Sequence, residues 1–330
     1  MPLESDVDIF NETNGIWSYV KHFGCVSESG KLKAMVFVIP GNPGQNEFYS
    51  EFGFRIYDRL KYRFPVYVMG HLGHVDYPRN CDRYKIPKHS NCLCTRKLIP
   101  LKGNEYLYDL NAQVKHKIQL INKYLEEGFQ LILVGHSIGC WMILELLKNP
   151  EIRKKTLKCY MLFPTIERMA ESPNGKKFCR FTLPCYPILR LLVKLFNWSS
   201  KKTQDSLLDT YMVWFMDHLC EIGRINMGRQ IKAFLNPETL DRNIELAREE
   251  MARVRDLDIN LIEKNKDILK FFYGASDGWA PAKYYEELCQ RIPGIDAEVD
   301  NTGINHAFVI KSSNEMGDIV ADWIAKLEQK

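Results

Sequence analysis

Short apolar runs recur along the chain at Ala34–Ile39, Pro65–Met69, Leu131–Val134, Lys158–Phe163 and Ile268–Tyr273. Continuous runs of this length read as strands buried on both faces. Between them the spacing changes to that of helices. Phe48, Phe52, Ile56 and Leu60 recur within Glu47–Tyr62, and similar patterns fill Asp109–Tyr124 and Ile138–Lys148. Repeated strand–helix units predict a mostly parallel sheet flanked by helices. The alternation stops over 165–265, which carries helical patterns and prolines but no strand signal. It resumes at Ile268, with a helix near Ala282–Arg291, a strand near Asp296–Asp300 and a last helix from about Asn314. The pattern therefore predicts one α/β domain over 1–330. Its core comprises 30–164 and 266–330, and 165–265 is a helical cap over one end of the sheet. Residues 76–103 lose all periodicity, are rich in Lys, Arg, Asn, Pro and Cys, and read as a long surface loop.

Composition narrows the picture little. The 330 residues are 45% hydrophobic and 26% charged, enough for a large core and ordinary for a globular protein. A net charge of +4 is too small to argue for nucleic acid as a partner. The N-terminus, Met1-Pro2-Leu3-Glu4-Ser5-Asp6, is polar and acidic, so no cleaved secretory signal is expected. The ten cysteines are scattered without a CxxC pair and read as free thiols rather than metal ligands or a disulfide framework.

Candidate chemistry centres on Gly135-His136-Ser137-Ile138-Gly139, which follows the Leu131–Val134 strand and opens a helix. Glycines at both ends of a Gly-x-Ser-x-Gly turn leave room for a sharp strand-to-helix reversal that lifts the serine Oγ above the sheet. The helix N-terminus behind it supplies free N–H groups. This predicts an α/β-hydrolase fold with Ser137 as nucleophile and Gly135, His136 and Gly139 as its elbow. A serine alcohol needs a base, and the base needs an orienting acid, here in the chain order Ser, acid, His. Asp277 follows the Ile268–Tyr273 strand and His306 follows the last strand, both at the sheet edge where Ser137 emerges. Glu167 is the rival acid. Among the eight histidines, His71 and His74 follow a strand that precedes Ser137 and are expected to line or shape the pocket, or to cap a turn. His136 is expected to point away from the nucleophile, and His89, His116 and His218 have ordinary loop or helix settings. The N–H groups of Ile138 and Asn42 are the candidate oxyanion donors, since Pro40 and Pro43 beside Asn42 have none. No metal or organic cofactor is implied.

These pieces resemble the lipid droplet-associated hydrolases over nearly all of the chain beyond the first thirty residues. The resemblance rests on Phe37-Val38-Ile39-Pro40-Gly41-Asn42-Pro43-Gly44 followed by Phe48-Tyr49, on the Ser137 turn, and above all on Leu162-Phe163-Pro164-Thr165-Ile166-Glu167-Arg168-Met169-Ala170-Glu171-Ser172-Pro173-Asn174-Gly175. Tyr273-Gly274-Ala275-Ser276-Asp277-Gly278-Trp279 and Asn305-His306-Ala307-Phe308 complete it. It implies a triad on Ser137, Asp277 and His306. It also implies an esterase acting on neutral lipid esters, cholesteryl ester or acylglycerol, at lipid droplets and at the cytosolic face of the endoplasmic reticulum membrane. A non-enzymatic droplet coat or scaffold built on the same fold is the alternative.

The cap bears on that choice. Within Phe178–Trp198 the prolines at 184 and 187, with Arg180, Arg190 and Lys194, speak against a membrane-spanning helix. In Pro187–Trp198, Arg190, Lys194 and Asn197 share a narrow face and apolar residues fill the rest. Leu207, Leu208, Tyr211, Trp214, Phe215 and Leu219 continue the apolar theme. The pattern predicts lipid-monolayer contact through about 178–219. A cap helix buried over the site is the competing expectation.

Overall fold

A computed structural model describes residues 7–13, 16–25, 32–74, 99–215, 228, 231–232 and 234–329. One eight-stranded sheet runs in the order β1-β2-β4-β3-β5-β6-β7-β8. Its strands are β1 Val7–Thr13, β2 Ile16–Phe23, β3 Ala34–Ile39, β4 Val66–Met69, β5 Gln130–His136, β6 Thr156–Leu162, β7 Leu269–Gly274 and β8 Asp296–Asp300. The β1–β2 and β2–β4 pairs are antiparallel; every other pair is parallel. The fold is that of an α/β-hydrolase, as the strand–helix pattern predicts.

The hydrophobic pattern does not announce the β1–β2 hairpin. Strand β2 buries Ile16, Tyr19, Val20 and Phe23, yet interleaves them with Ser18, Lys21 and His22. Buried Ser18 is satisfied by His116 Nε2 at 2.7 Å. A polar residue with a private partner hides a strand from any reading based on apolar runs.

The central strands are buried on both sides for a simple reason. Met35, Phe37 and Ile39 of β3 and Leu131 and Leu133 of β5 face one core. Ala34, Val36 and Val38, with Ile132 and Val134, face the other. Alternate side chains of a strand point to opposite faces, so a strand covered twice must be apolar throughout. Helices α1 (Ser50–Arg59) and α8 (Ser313–Ala325) pack together against one face. Helices α2 (Leu110–Tyr124), α3 (Ile138–Leu147) and α7 (Ala282–Arg291) serve the other.

Between β6 and β7 the described chain carries no strand. It forms α4 (Leu183–Trp198), α5 (Lys201–Phe215) and α6 (Pro237–Arg253), among shorter turns. Pro187 lies inside α4, which continues directly from a π-helical turn at Phe178–Thr182. Among the described residues no helix is long and apolar enough to cross a membrane.

The orientation of α4 is the reverse of a buried cap helix. Arg190 turns inward and forms a two-point ion pair with Asp241 of α6, at 2.6 and 2.7 Å, and Tyr186 bonds the same carboxylate. Asn197 donates to the Leu235 carbonyl at 2.6 Å. Apart from the buried Tyr186 and Val193, most apolar side chains of α4 face out instead: Leu192 is 57% exposed, Trp198 87% and, on α5, Trp214 77%. Most of the basic loop expected over 76–103 lies outside the described residues.

Candidate active site

Four strand ends deliver the site. Asn42 lies in the loop after β3, Ser137 directly after β5, Asp277 in the loop after β7 and His306 in the loop after β8. All lie at the carboxyl edge of the parallel sheet, where open α/β sheets place ligands. Ser137 takes φ 55° and ψ −123°, outside the ordinary regions for a side-chain-bearing residue. Its neighbours make that turn possible. A Cβ on Gly139 would come within 2.2 Å of the Ile39 carbonyl oxygen, and one on Gly41 within 2.9 Å of the Ser137 Cβ. The elbow therefore sits directly on the end of β3.

The three residues expected as a triad come together. Ser137 Oγ lies 3.0 Å from His306 Nε2, and His306 Nδ1 lies 2.7 Å from Asp277 Oδ2. Asp277 Oδ1 accepts from the Trp279 amide at 2.7 Å, which fixes the carboxylate plane. Asp277 is buried, while the His306 side chain keeps 17% of its surface exposed. Glu167 is not beside the imidazole. It pairs with Arg168 at 2.7 Å, and Arg168 also pairs with Glu287. Burial raises the Glu167 carboxyl, and Arg168 works against that rise.

His136 departs from expectation. It does not turn away from the site but lies beneath it, with its ring 5.1 Å from that of His306. Its Nδ1 is 2.5 Å from the Tyr49 hydroxyl, and its Nε2 is 2.8 Å from the main-chain oxygen of His306. Tyr49 in turn accepts from the Gly41 amide at 2.7 Å. A carbonyl only accepts, so Nε2 carries the proton and Nδ1 accepts from the tyrosine. Burial, with the nearby His306, holds His136 well below the usual imidazole range, which keeps that neutral tautomer.

The Asn42 loop is braced from two sides. The Asn42 side chain donates to the Asn243 carbonyl at 2.9 Å and to Glu250 Oε1 at 3.0 Å, both on α6 of the cap. From below, His74 Nδ1 accepts from the Gly44 amide at 3.2 Å, and the His71 ring occupies the space a Cβ on Gly44 would need. His71 and His74 thus shape the loop rather than line the cavity. Among the described residues, no acceptor takes the main-chain N–H of Asn42 or Ile138. His116 is not in an ordinary helix setting: it is buried beside Lys117, whose Nζ reaches the Gly70 carbonyl at 2.6 Å. His89 and His218 lie outside the described residues.

Above Ser137 opens a cavity of about 340 Å³. Phe48, Met169, Phe178, Phe234, Ile244 and Trp279 make most of its wall apolar. A second cavity of about 530 Å³ shares Pro43, Phe48, Phe234 and Ile310 with the first and reaches Leu207 and Tyr211, exposed on α5. Among the described residues no group of three or more His, Cys, Asp or Glu is placed to hold a metal ion. Asn243 and Glu250 carry no signal in the sequence, because a helix rich in Glu and Arg reads as a solvated face. Tyr49 appeared only as part of the resemblance.

A family model described as lipid-droplet associated hydrolase matches residues 32–309. A lipid droplet-associated hydrolase of Drosophila melanogaster is 40% identical over 300 residues, covering 91% of each chain. One of Mus musculus is 33% identical, covering 89% of this chain and 85% of its own. Among solved structures, a thermophilic esterase from Thermogutta terrifontis superposes with a TM-score of 0.56 at 15% identity, over 97% of this chain and 98% of its own, which bears on the fold alone. The chain belongs to the lipid droplet-associated hydrolase family.

Proposed function

We propose that the protein is a serine esterase acting on neutral lipid esters, of the acylglycerol or cholesteryl ester type, at the surface of lipid droplets. The observation that carries this reading is the Ser137–His306–Asp277 chain of contacts at the floor of an apolar cavity. Ser137 Oγ attacks the ester carbonyl while His306 Nε2 takes its proton and delivers it to the leaving alcohol. Asp277 holds His306 in the tautomer that presents a bare Nε2 to the serine. The Asn42 and Ile138 amides donate to the oxyanion. Water then releases the acyl group by the same steps in reverse. A cavity near the low end of ligand-pocket sizes does not enclose a whole neutral lipid. The second cavity carries the acyl chain on toward the outer face of α4 and α5.

That outer face is the docking surface in this reading. Large apolar side chains gathered on one exposed face mark an interaction site, and the family name supplies a lipid surface as the occupant. The endoplasmic reticulum as a second location rests on the resemblance alone. The exposed face also favours a second reading, in which docking rather than hydrolysis is the cellular role.

Labelling with a fluorophosphonate probe tests the enzyme. Wild type is expected to label and Ser137→Ala not; a folded wild type that resists the probe ends the esterase reading. Droplet size in cells expressing wild type or Ser137→Ala decides between the two roles, because equal effects would assign the scaffold.

A further inference from the structure

The cavity-facing side of α6 is not uniformly apolar. Leu240, Asn243, Ile244, Ala247, Glu250 and Met251 line the cavity at intervals of three and four residues, so one helical face forms this wall. Asn243 and Glu250 sit seven residues apart on that face and therefore lie along one side of it, two turns from each other.

Asn243 is 5% exposed, and neither its side-chain nitrogen nor its side-chain oxygen has a partner among the described residues. Its main-chain oxygen, by contrast, is taken by Asn42. Glu250 is 4% exposed; its Oε1 accepts from Asn42, which leaves Oε2 for a further partner. Burial pushes the Glu250 carboxyl up to about 8, opposed by the Asn42 bond, so near neutrality it keeps a proton it can donate. A buried amide with nothing to bond destabilises the fold around it. Such a group is out of place in a pocket meant for hydrocarbon alone.

We propose that Asn243 and Glu250 form a polar subsite that binds a free hydroxyl of the substrate's alcohol portion, so that the cavity selects partial acylglycerols over wholly apolar esters. This inference rests on the esterase reading for its setting and narrows the substrate class of the same site. The pair supplies both kinds of partner. The Asn243 amide offers a donor and an acceptor, and protonated Glu250 adds a donor. A hydroxyl uses one of each. A sterol or fully acylated ester brings no hydroxyl and leaves both groups unpaired, and a site built around such bonds discriminates strongly against the analogue that lacks them. The subsite is also tied to the Asn42 loop by the two bonds from the Asn42 side chain. Occupancy of the subsite is thereby linked to the position of a candidate oxyanion donor.

The test uses ether lipids that no esterase cleaves. Binding of 1-O-octadecylglycerol to the full-length protein in detergent micelles is compared with binding of octadecyl propyl ether, which has the same chain and carbon count without the hydroxyls. Wild type is expected to bind the diol on the order of ten- to a hundredfold more tightly. Asn243→Leu should bind the two ethers alike. Glu250→Gln keeps an acceptor for Asn42 and a donor toward the cavity, and should retain the preference. Equal binding of both ethers by wild type overturns the proposal, as does an unchanged preference in a folded Asn243→Leu. Because no bond is cleaved, the outcome is read separately from fluorophosphonate labelling, and loss of one does not imply loss of the other.

Discussion

The imidazole of His136 donates its Nε2 proton to the main-chain carbonyl of His306 over 2.8 Å. The turn that holds the serine thus also holds the backbone of its partner histidine. The Gly41 amide, the Tyr49 hydroxyl and His136 extend the contact into a continuous chain from the β3 loop to the β8 loop. Tyr49→Phe removes the middle link and leaves a buried amide and a buried ring nitrogen unpaired. We expect a loss of about 1–3 kcal/mol in urea unfolding, with kcat falling more than KM rises. A variant as stable and active as wild type would show that the chain does not position His306.

Asp277→Asn preserves shape but exchanges an acceptor for an amide. It favours the imidazole tautomer that carries a proton on Nε2, where it is useless to Ser137. A fall in kcat of about 10⁴ is expected with little change in thermal unfolding. A variant that keeps most of its kcat, as steady-state hydrolysis of a soluble p-nitrophenyl ester would reveal, would remove Asp277 from the mechanism.

Charging the outer face of the cap separates docking from chemistry. Leu192 and Trp198 are exposed and line neither cavity. Leu192→Glu combined with Trp198→Glu should abolish flotation with phospholipid-coated triolein droplets. Hydrolysis of a soluble short-chain ester should survive. Continued flotation of this folded variant would place the lipid contact elsewhere.

Four buried histidines make the fold sensitive to acid. His71, His74, His116 and His136 are all held below the usual imidazole range, mainly by burial, with His74 down to about 3. In the unfolded chain they protonate near their ordinary value of 6.5, while the folded protein keeps them neutral. The unfolded state therefore binds more protons as pH drops below 6.5, and stability falls by up to about 1.4 kcal/mol per pH unit for each group. Urea midpoints are expected to drop steeply between pH 6.5 and 5. A flat profile would mean that these rings are not buried as described.

Glu250 acts in the opposite direction. Its carboxyl titrates at about 8 when folded and near 4.5 when unfolded. From pH 4.5 upward the unfolded chain loses this proton first, so the group lowers stability until pH 8 and adds no further slope above it. Glu250→Gln removes that effect. Its stability advantage over wild type, measured by urea unfolding, should grow from pH 5 to pH 8; an advantage that shrinks over this range would exclude a protonated Glu250.

Much of the site was readable because each candidate residue ends a strand. Ser137 and Asp277 follow apolar runs that announce β5 and β7, His306 follows the alternating Asp296–Asp300 segment that forms β8, and chain order arranged them. Internal polarity is what the sequence conceals. Ser18 and His116 satisfy each other inside the fold, so β2 resembled a surface segment. Asn243 and Glu250 resembled solvated helix positions because periodicity marks faces without saying which one meets a cavity. The same limit applied to α4. Its polar stripe at Arg190 and Asn197 was legible, but the sense in which it points depends on Asp241 and the Leu235 carbonyl, both about forty to fifty residues away.

That sense of rotation bears on how the cap meets oil. Beside the buried Tyr186, Val193, Leu208 and Met212, its internal joints include polar ones: Arg190 with Asp241, Lys232 with Asp205, Asn197 with Leu235. The adhesion that assembles most lids is the sequestering of grease from water, and immersion in hydrocarbon dissolves such adhesion. Salt-type joints shielded from a polar medium only tighten. On the docking reading, a cap fastened in part by such joints passes from water to lipid without being taken apart.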